Sequence, residues 1–315
     1  MRVVIALGGN AMTGPDGGVS PEDQRVAVES AMGDVADLVV AGHEVVLTHG
    51  NGPQVGNLLV KNELAAHVVP PVPLDWCGAQ TQATIGMLVL NALDAALAER
   101  GAESRPAVVV TRTLVDPVDP GFAAPSKPIG RYLPEEDARR LIEHGEAWED
   151  RGDRGWRRMV ASPEPIEVLD APAITALMTA GFVVVGAGGG GIPVRRDDSG
   201  RLLGIAAVID KDLAAAVLGR AVGADLLVIA TDVDHAIRGF GTPDAEPIGR
   251  VSPQELRGIA ADGHFASGSM GPKVEAVVRF VEAGGRRAAI TSLGQIAAAA
   301  RGEAGTVVEK TPPAR

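Results

Sequence analysis

Three lysines, Lys127, Lys211 and Lys273, are the residues of this 315-residue chain that most invite a chemical reading. The chain holds only five lysines, and the other 24 of its 29 basic residues are arginine. Arginine therefore serves wherever a solvated positive charge is enough. Lys61 falls on a helical pattern and Lys310 in the tail, where solvation explains them. The other three lie among Gly, Pro and Asp, in Ser126-Lys127-Pro128-Ile129-Gly130, Ile209-Asp210-Lys211-Asp212-Leu213 and Gly268-Ser269-Met270-Gly271-Pro272-Lys273. An ammonium is a compact charge on a flexible stem, unlike the planar guanidinium fork. These positions read as places where a small mobile point charge is needed; chance survival of a few lysines is the alternative. Asp210 and Asp212 have an ordinary use as helix caps. Lys211 in a first helical turn opposes the helix dipole, and a bound phosphate would give it a reason to be there. Asp212 is also placed to pin Lys211 and Lys273.

Glycines supply the second half of the constellation. The opening run Val3-Val4-Ile5-Ala6-Leu7-Gly8-Gly9-Asn10 reads as a buried strand ended by turn residues. A second strand ends in Thr48-His49-Gly50-Asn51-Gly52-Pro53, and a third, Phe182 to Ala187, in Gly188-Gly189-Gly190-Gly191. Bare amides at the carboxyl end of a parallel strand suit anions, although each segment also fits an ordinary tight turn, and His49 and Asn51 could simply satisfy one. Gly186 to Gly191 matches GxGxxG, but no helix follows, which removes the dinucleotide context. Gly268 to Lys273 is not a Walker loop, because Val274 follows the lysine. It does place Gly-Pro at a helix start, where unpaired N–H groups favour anions. Glycine-lined strand ends and three mobile charges together point to transfer of a phosphoryl group, which demands positioning and charge compensation more than covalent work.

The elements that must hold these residues follow a clear rhythm. A cap at Ser20-Pro21-Glu22 opens a helix to about Val40, and a strand covers Glu44 to Leu47. Helices over about Pro53–His67 and Gly78–Glu99 flank the stiff Pro70-Pro71-Val72-Pro73, and a strand covers Ala107 to Thr111. This βαβααβ order predicts an α/β fold with a mainly parallel sheet and helices on both faces. From Arg112 to about Pro165 the rhythm breaks into a proline-rich, charged insertion containing a helix over Pro134–His144 and bearing Trp148 and Trp156, the candidate lid. A helix from Asp210 or Lys211, a strand Leu226–Ala230 ending in Thr231-Asp232, a helix to about Val281 and closing elements over Ala288–Ala300 and Thr306–Glu309 complete the chain.

Bulk properties narrow the function. A net charge of −11 argues against general nucleic-acid binding. No leader opens the chain and no apolar run approaches the roughly 18 residues of a membrane span. The single Cys77 excludes a disulfide framework and fits a reducing cytoplasm, with a buried bystander role preferred over a nucleophile. Apolar residues make up 46% and aromatics only 3%, so a sizeable core must be built from Val, Leu, Ile and Ala.

Taken together, Leu7 to Asn10, Gly50 to Asn57, Pro73-Leu74-Asp75-Trp76-Cys77-Gly78-Ala79-Gln80, Asp119-Pro120, Ser126 to Gly130, Arg157 to Pro163, Gly188 to Pro193, Ile209 to Leu213 and Gly268 to Lys273 resemble the carbamate kinases of the amino-acid kinase superfamily nearly end to end. The resemblance implies a three-layer αβα sandwich with an open, mainly parallel sheet, a protruding lid over about 112–165, and a homodimer. It implies reversible transfer between MgATP and carbamate, giving ADP and carbamoyl phosphate, with ATP formation the useful direction in catabolism. By the same resemblance Gly8, Gly9, Asn10, Gly50, Asn51 and Gly52 line the carbamate and phosphate site, and Lys127 reaches carbamoyl phosphate from the lid. Lys211 and Lys273 stabilise the transferring phosphoryl group, organised by Asp212. Gly189, Gly190, Asp210, Thr231, Asp232, Gly268 and Met270 are grouped with the nucleotide, alongside Lys273. Relatives acting on amino-acid carboxylates resemble one another in a lysine just before Leu-Gly-Gly; here it is Ala6, and the resemblance implies that Lys211 supplies that charge. No protein ligand for Mg²⁺ stands out, so phosphates and water are expected to hold it. The chain departs most visibly from the family after Tyr132 and over His235–Pro247. The competing readings are another small-acid kinase, a biosynthetic relative, or a nucleotide-binding sensor without turnover.

Overall fold

A computed structural model describes residues 1–8, 20–265 and 270–310. The central sheet has eight strands: β1 (Arg2–Leu7), β2 (Glu44–His49), β3 (Arg105–Val108), β4 (Phe182–Val185), β5 (Leu226–Thr231), β6 (Arg250–Val251), β7 (Arg287–Ser292) and β8 (Thr306–Glu309). Their spatial order is β6-β8-β7-β5-β1-β2-β4-β3, with β7–β8 the one antiparallel pair among them. The fold is therefore the open, mainly parallel sheet expected of the sequence.

Alternation along the strands explains the layers. Val3, Ile5 and Leu7 face one side of the sheet and Val4 and Ala6 the other, and all five are fully buried. The first side is covered by α1 (Pro21–Val40), α3 (Leu74–Glu99) and α8 (Ile296–Arg301), through Met32, Val35, Leu93 and Ile296 among others. The second is covered by α4 (Ala171–Thr179), α5 (Lys211–Ala221), α6 (Pro253–Ala261) and α7 (Met270–Glu282), through Ile174, Leu218, Leu256 and Val277. α2 (Gly52–Ala65) leads from the end of β2 toward the lid. Ser20 and Asp23 form a reciprocal capping box on α1, with Pro21 in its first turn. Ser252 and Glu255 repeat the device on α6, an element not anticipated from the sequence.

Two structures extend from the sheet. A second sheet joins Leu202–Gly204, Ile192–Arg196, Arg112–Leu114 and Glu167–Val168. The lid sheet joins Lys127–Leu133, Trp156–Val160 and Ala147–Asp150, all antiparallel, under the helix Glu135–Glu143. Leu133, Ala138 and Trp148, with Leu141 and Trp156 against them, give the lid its own small core. Arg112–Leu114, at the front of the expected insertion, thus belongs to the body, and the lid sheet itself runs from Lys127 to Val160.

One helix corrects an expectation. α3 begins at Leu74, earlier than the glycine at 78 suggests, and is long and apolar enough to cross a membrane by length and composition, with a mean hydropathy of 1.2 over its most apolar window. Its Ala and Leu content raises that mean although Thr81, Gln82 and Asn91 interrupt the apolar run. Ile85, Val89, Leu93 and Leu97 pack it on the sheet.

Scarce aromatics make Phe280 a heavy contributor to the core. It is 2% exposed on α7, and its ring fills the space where a Cβ on Gly219 or Gly285 would fall, 2.8 and 2.2 Å from its nearest atoms. Phe280→Ala is expected to lower stability by about 3–5 kcal/mol, read from urea unfolding at constant m-value. A loss below about 1 kcal/mol would show that the two glycine-lined faces collapse onto the gap.

Candidate active site

The parallel register brings the carboxyl ends of β1, β2 and β5 to one rim: Leu7 lies opposite both His49 and Ala230. The chain leaves β1 for β2 on one side while β5 pairs on the other, so the rim is a topological switch point, where open α/β sheets bind ligands. Gly8 donates its N–H to the Ala230 carbonyl at 2.7 Å, and a Cβ at Gly8 would lie 2.9 Å from that same oxygen. Close approach of β5 therefore requires glycine there. Gly50 donates to the Leu7 carbonyl at 3.0 Å. Gly9, Asn10 and Gly268 lie outside the described residues.

On the β5 side of this rim α5 and α7 pack together and bring two lysines to one carboxylate. Asp212, 2% exposed in the first turn of α5, takes the Lys273 ammonium on Oδ2 at 3.0 Å and the Lys211 ammonium on Oδ1. Both lysine side chains are nearly buried, at 13% and 10% exposure. Burial pushes the Lys211 ammonium below the usual lysine range; Asp212 opposes that push and the like charge of Lys273 adds to it. Lys211 lies one helical turn before Ala215, which packs in the same cluster as Ala6. The small side chain at position 6 thus faces the helix that carries the lysine.

The third lysine arrives from the lid. Lys127, the first residue of the lid strand, places Nζ 2.6 Å from Asp210 Oδ2. Asp210 is the N-cap of α5, and its Oδ1 accepts the N–H groups of Asp212 at 2.9 Å and Leu213 at 3.3 Å. Burial disfavours charge on Asp210, but Lys127 and then Lys211 outweigh it and hold the carboxyl below its ordinary range. Asp210, grouped with the nucleotide by sequence, carries the lid lysine on its Oδ2.

The four-glycine turn has a packing reason. Gly188 to Gly191 are buried, Ala187 takes a left-handed conformation at φ 51°, and Gly189, Gly190 and Gly191 have φ of 66°, 91° and 89°. A Cβ on Gly188 would fall 2.4 Å from His49 Nε2, on Gly189 2.1 Å from Asn51 Nδ2, on Gly190 2.7 Å from the Ile209 carbonyl oxygen, and on Gly191 2.0 Å from Thr113 Oγ1. Gly189 and Gly190 therefore sit against Asn51 and the residue before Asp210. They are not among the residues lining the cavity at the end of β5. Sequence reasoning missed the polar struts of this turn. Gln82 donates to the Gly188 and Thr111 carbonyls and accepts from the Thr111 N–H, Thr113 donates to the Gly190 carbonyl, and Thr48 to that of Ala187. Asn51 in turn donates from Nδ2 to Thr81 Oγ1 at 2.9 Å. The only signal for Gln82 was a polar residue on the inward stripe of α3. Gly52 differs from the other glycines: it is exposed, and a Cβ there would meet nothing within 4 Å.

Beyond the lysines a cavity of about 260 Å³ opens at the end of β5, lined by Thr231, Asp232, Val233, His235, Ile237, Phe240, His264, Phe265 and Met270. Thr231 donates to Asp232 Oδ1 at 3.0 Å, and the Gly239 N–H donates to His264 Nδ1 at 3.2 Å. Apolar walls with few polar groups suit a heteroaromatic ring. Part of the wall comes from the hairpin Ile237–Arg238 with Glu246–Pro247, inside the stretch that departs from the family pattern.

Comparison with known proteins agrees with this geometry. The family model described as "Amino acid kinase family" matches residues 1–292. The chain is 46% identical over 313 residues to a carbamate kinase of Thermococcus kodakarensis, covering 98% of each. It is 45% identical over 314 residues to the carbamate kinase-like protein YahI of Escherichia coli, covering 98% of this chain and 99% of that protein. The solved carbamate kinase of Giardia lamblia bound to AMP-PNP superposes with a TM-score of 0.92 at 39% identity, covering 98% of both chains. The chain belongs to the carbamate kinase family. It is a phosphotransferase of the amino-acid kinase fold.

In this carbamate kinase family member the carboxylates beside the lysines are already engaged, Asp212 by two ammonium groups and Asp210 by Lys127 and the α5 cap. Among the described residues no cluster of three or more His, Cys, Asp or Glu side chains could hold a metal ion.

His49 underlies the whole arrangement. It is 1% exposed, its Nδ1–H donates to the Gly50 carbonyl at 3.0 Å, and its ring supports Gly188. Burial, aided by the nearby Lys211 charge, lowers its pKa to about 4. The unfolded chain binds a proton at this residue near the reference 6.5, so between these values unfolding takes up a proton and stability falls as pH falls. Stability is expected to drop by up to about 3 kcal/mol between pH 7.5 and pH 4 from this residue. His49→Asn, which keeps a donor at that distance, should flatten the slope in urea titrations; an unchanged slope would remove His49 as its source.

Proposed function

We propose that this carbamate kinase family member transfers a phosphoryl group reversibly between carbamoyl phosphate and ADP, giving carbamate and ATP, with ATP formation its working direction. The observation that carries the proposal is the sharing of buried Asp212 by Lys211 and Lys273, with Lys127 on Asp210, two residues before it. In the ATP-forming direction an oxygen of the ADP β-phosphate attacks phosphorus, and the bond from phosphorus to the carbamoyl oxygen breaks. Lys273 and Lys211 meet the charge on the transferring group and the nucleotide phosphates, while Lys127 meets the carbamoyl side. Gly8, Gly50, Asn51 and Gly52, with Gly9 and Asn10, are assigned to the carbamoyl phosphate side. No side-chain hydrogen bond from Asn51 caps the start of α2, and this helix start is assigned to an anion. The cavity at Thr231, Asp232 and Met270 is assigned to the base. The protein chain supplies charge and alignment with no covalent intermediate. Magnesium enters with the nucleotide as part of the substrate.

ATP formation from ADP and carbamoyl phosphate, coupled to a luminescent readout, tests this reading. Lys211→Ala is expected to lower kcat by about 10²–10³-fold. Wild-type protein that forms ATP from acetyl phosphate and none from carbamoyl phosphate would assign it to another acid.

We also propose that two copies associate, and that the chain works in the cytoplasm, which the single, unpaired and buried Cys77 supports. Trp76 and Met87 are 59% and 52% exposed on one stripe of α3, and β3 beside it is a free edge of the sheet. A second copy laid across that stripe would cover both. Sedimentation should find twice the chain mass for wild type and the single-chain mass for Met87→Glu; a wild-type monomer at micromolar concentration would overturn this.

A further inference from the structure

The lid meets the body through one apolar cluster, Ile129 and Val160 of its strands against Val55, Leu59 and Cys77, and through a few polar contacts. A groove of about 660 Å³ separates its strands from the 71–74 connector, with Val72, Leu74, Phe122 and Met159 along its walls. On α2, Gly56 approaches Gly130 of the lid so closely that a Cβ on Gly56 would lie 3.2 Å from the Gly130 Cα. Two turns further along the same helix face, Arg131 and Glu63 pair at 3.1 Å, but both are open to solvent at 48% and 34% exposure, and exposed pairs contribute little. The Lys127–Asp210 pair is shorter, at 2.6 Å, and its carboxylate is 11% exposed.

The two oxygens of Asp210 have different duties. Oδ1 closes the first turn of α5, the turn that carries Lys211 and Asp212, and Oδ2 holds the lid lysine. A capping role alone needs only the first oxygen and no charge, and asparagine fills it equally well.

Resting on the phosphotransfer reading above, we propose that Asp210 is a positioning residue that docks the lid: it holds Lys127 at the rim where carbamoyl phosphate binds and ties that placement to the turn bearing Lys211. Asp210 touches neither the nucleotide nor the transferring group. It acts through Lys127, on the affinity for the phosphorylated acid.

Asp210→Asn keeps the cap and removes the charge. It is expected to raise KM for carbamoyl phosphate about tenfold, the equivalent of one charge-assisted hydrogen bond, while KM for ADP stays within about twofold. Without substrate, amide hydrogen exchange over residues 127–160 should rise in Asp210→Asn and in Lys127→Gln alike, and no further in the double variant. Lys127→Gln breaks the same pair without touching the cap, so it decides the exchange result even if Asp210→Asn folds poorly. Wild-type lid exchange and KM in both single variants would reduce Asp210 to a cap. Equal rises in KM for both substrates would return it to the nucleotide side. If wild-type protein does not use carbamoyl phosphate, the phosphotransfer reading fails, while the exchange comparison still decides the docking contact.

Discussion

Two ammonium groups share one buried carboxylate, and the rest of the structure is arranged around making that tolerable. Lys211, Lys273 and Asp212 are each less than one seventh exposed. An isolated buried charge costs several kcal/mol, and a second cation at the same carboxylate leaves one charge uncompensated. Asp210 and Lys127 add a balanced pair beside it. The five groups together carry a single net positive charge, so the chain can fold without a large buried excess. On the proposed function, a polyphosphate arriving at the rim would meet three ammonium groups already oriented. Such charge needs no reorganisation at the moment of transfer, which is where electrostatic catalysis gains most.

The sheet makes this constellation possible. Parallel strands deliver all their carboxyl ends to one rim, and the helices that follow them begin there. Asp210 to Asp212 sit at the head of α5 and Lys273 in the first turns of α7, which pack side by side against the same sheet face. A lysine at a helix start opposes the dipole. Its cost is offset only by a carboxylate such as Asp212, and by an anion where one binds. The buried glycine turn is the other precondition. Without side chains at Gly188 to Gly191, His49, Asn51, Thr113 and Ile209 can close against its backbone, which fixes Asn51 beside the rim.

Much of this was legible in the sequence, because its strongest signals are local. Valine-rich runs ending in glycine mark the strands, Ser-Pro marks the start of α1, and the rarity of lysine marks Lys127, Lys211 and Lys273. Where sequence reading failed, the cause was contact between distant segments. That Asn51 and Ile209 pack against the glycines at 189 and 190 is visible only in the fold. Gln82 is one polar residue on a long apolar helix, and only the fold shows it bracing Thr111 and Gly188. The Ile237–Pro247 hairpin was missed because its strands are two residues long. Segments that short carry little periodicity to read.

The placement of Lys127 shows why charge pairs at such a rim do two things at once. A lysine reaching from a lid has many rotamers, and fixing it costs up to about 2 kcal/mol of side-chain entropy. A partner carboxylate on the body offsets that cost before substrate arrives. Because Asp210 also caps α5, one carboxylate restrains the lid through Oδ2 and the turn holding Lys211 through Oδ1. Rigid-body motion of the lid therefore cannot leave the rim electrostatics unchanged: moving Lys127 away exposes a carboxylate beside Lys211. Asp210 already acts electrostatically on the Lys211 ammonium, and without Lys127 beside it that influence would be stronger. Lid position and the strength of the charge offered to a phosphoryl group are, on this geometry, one variable rather than two.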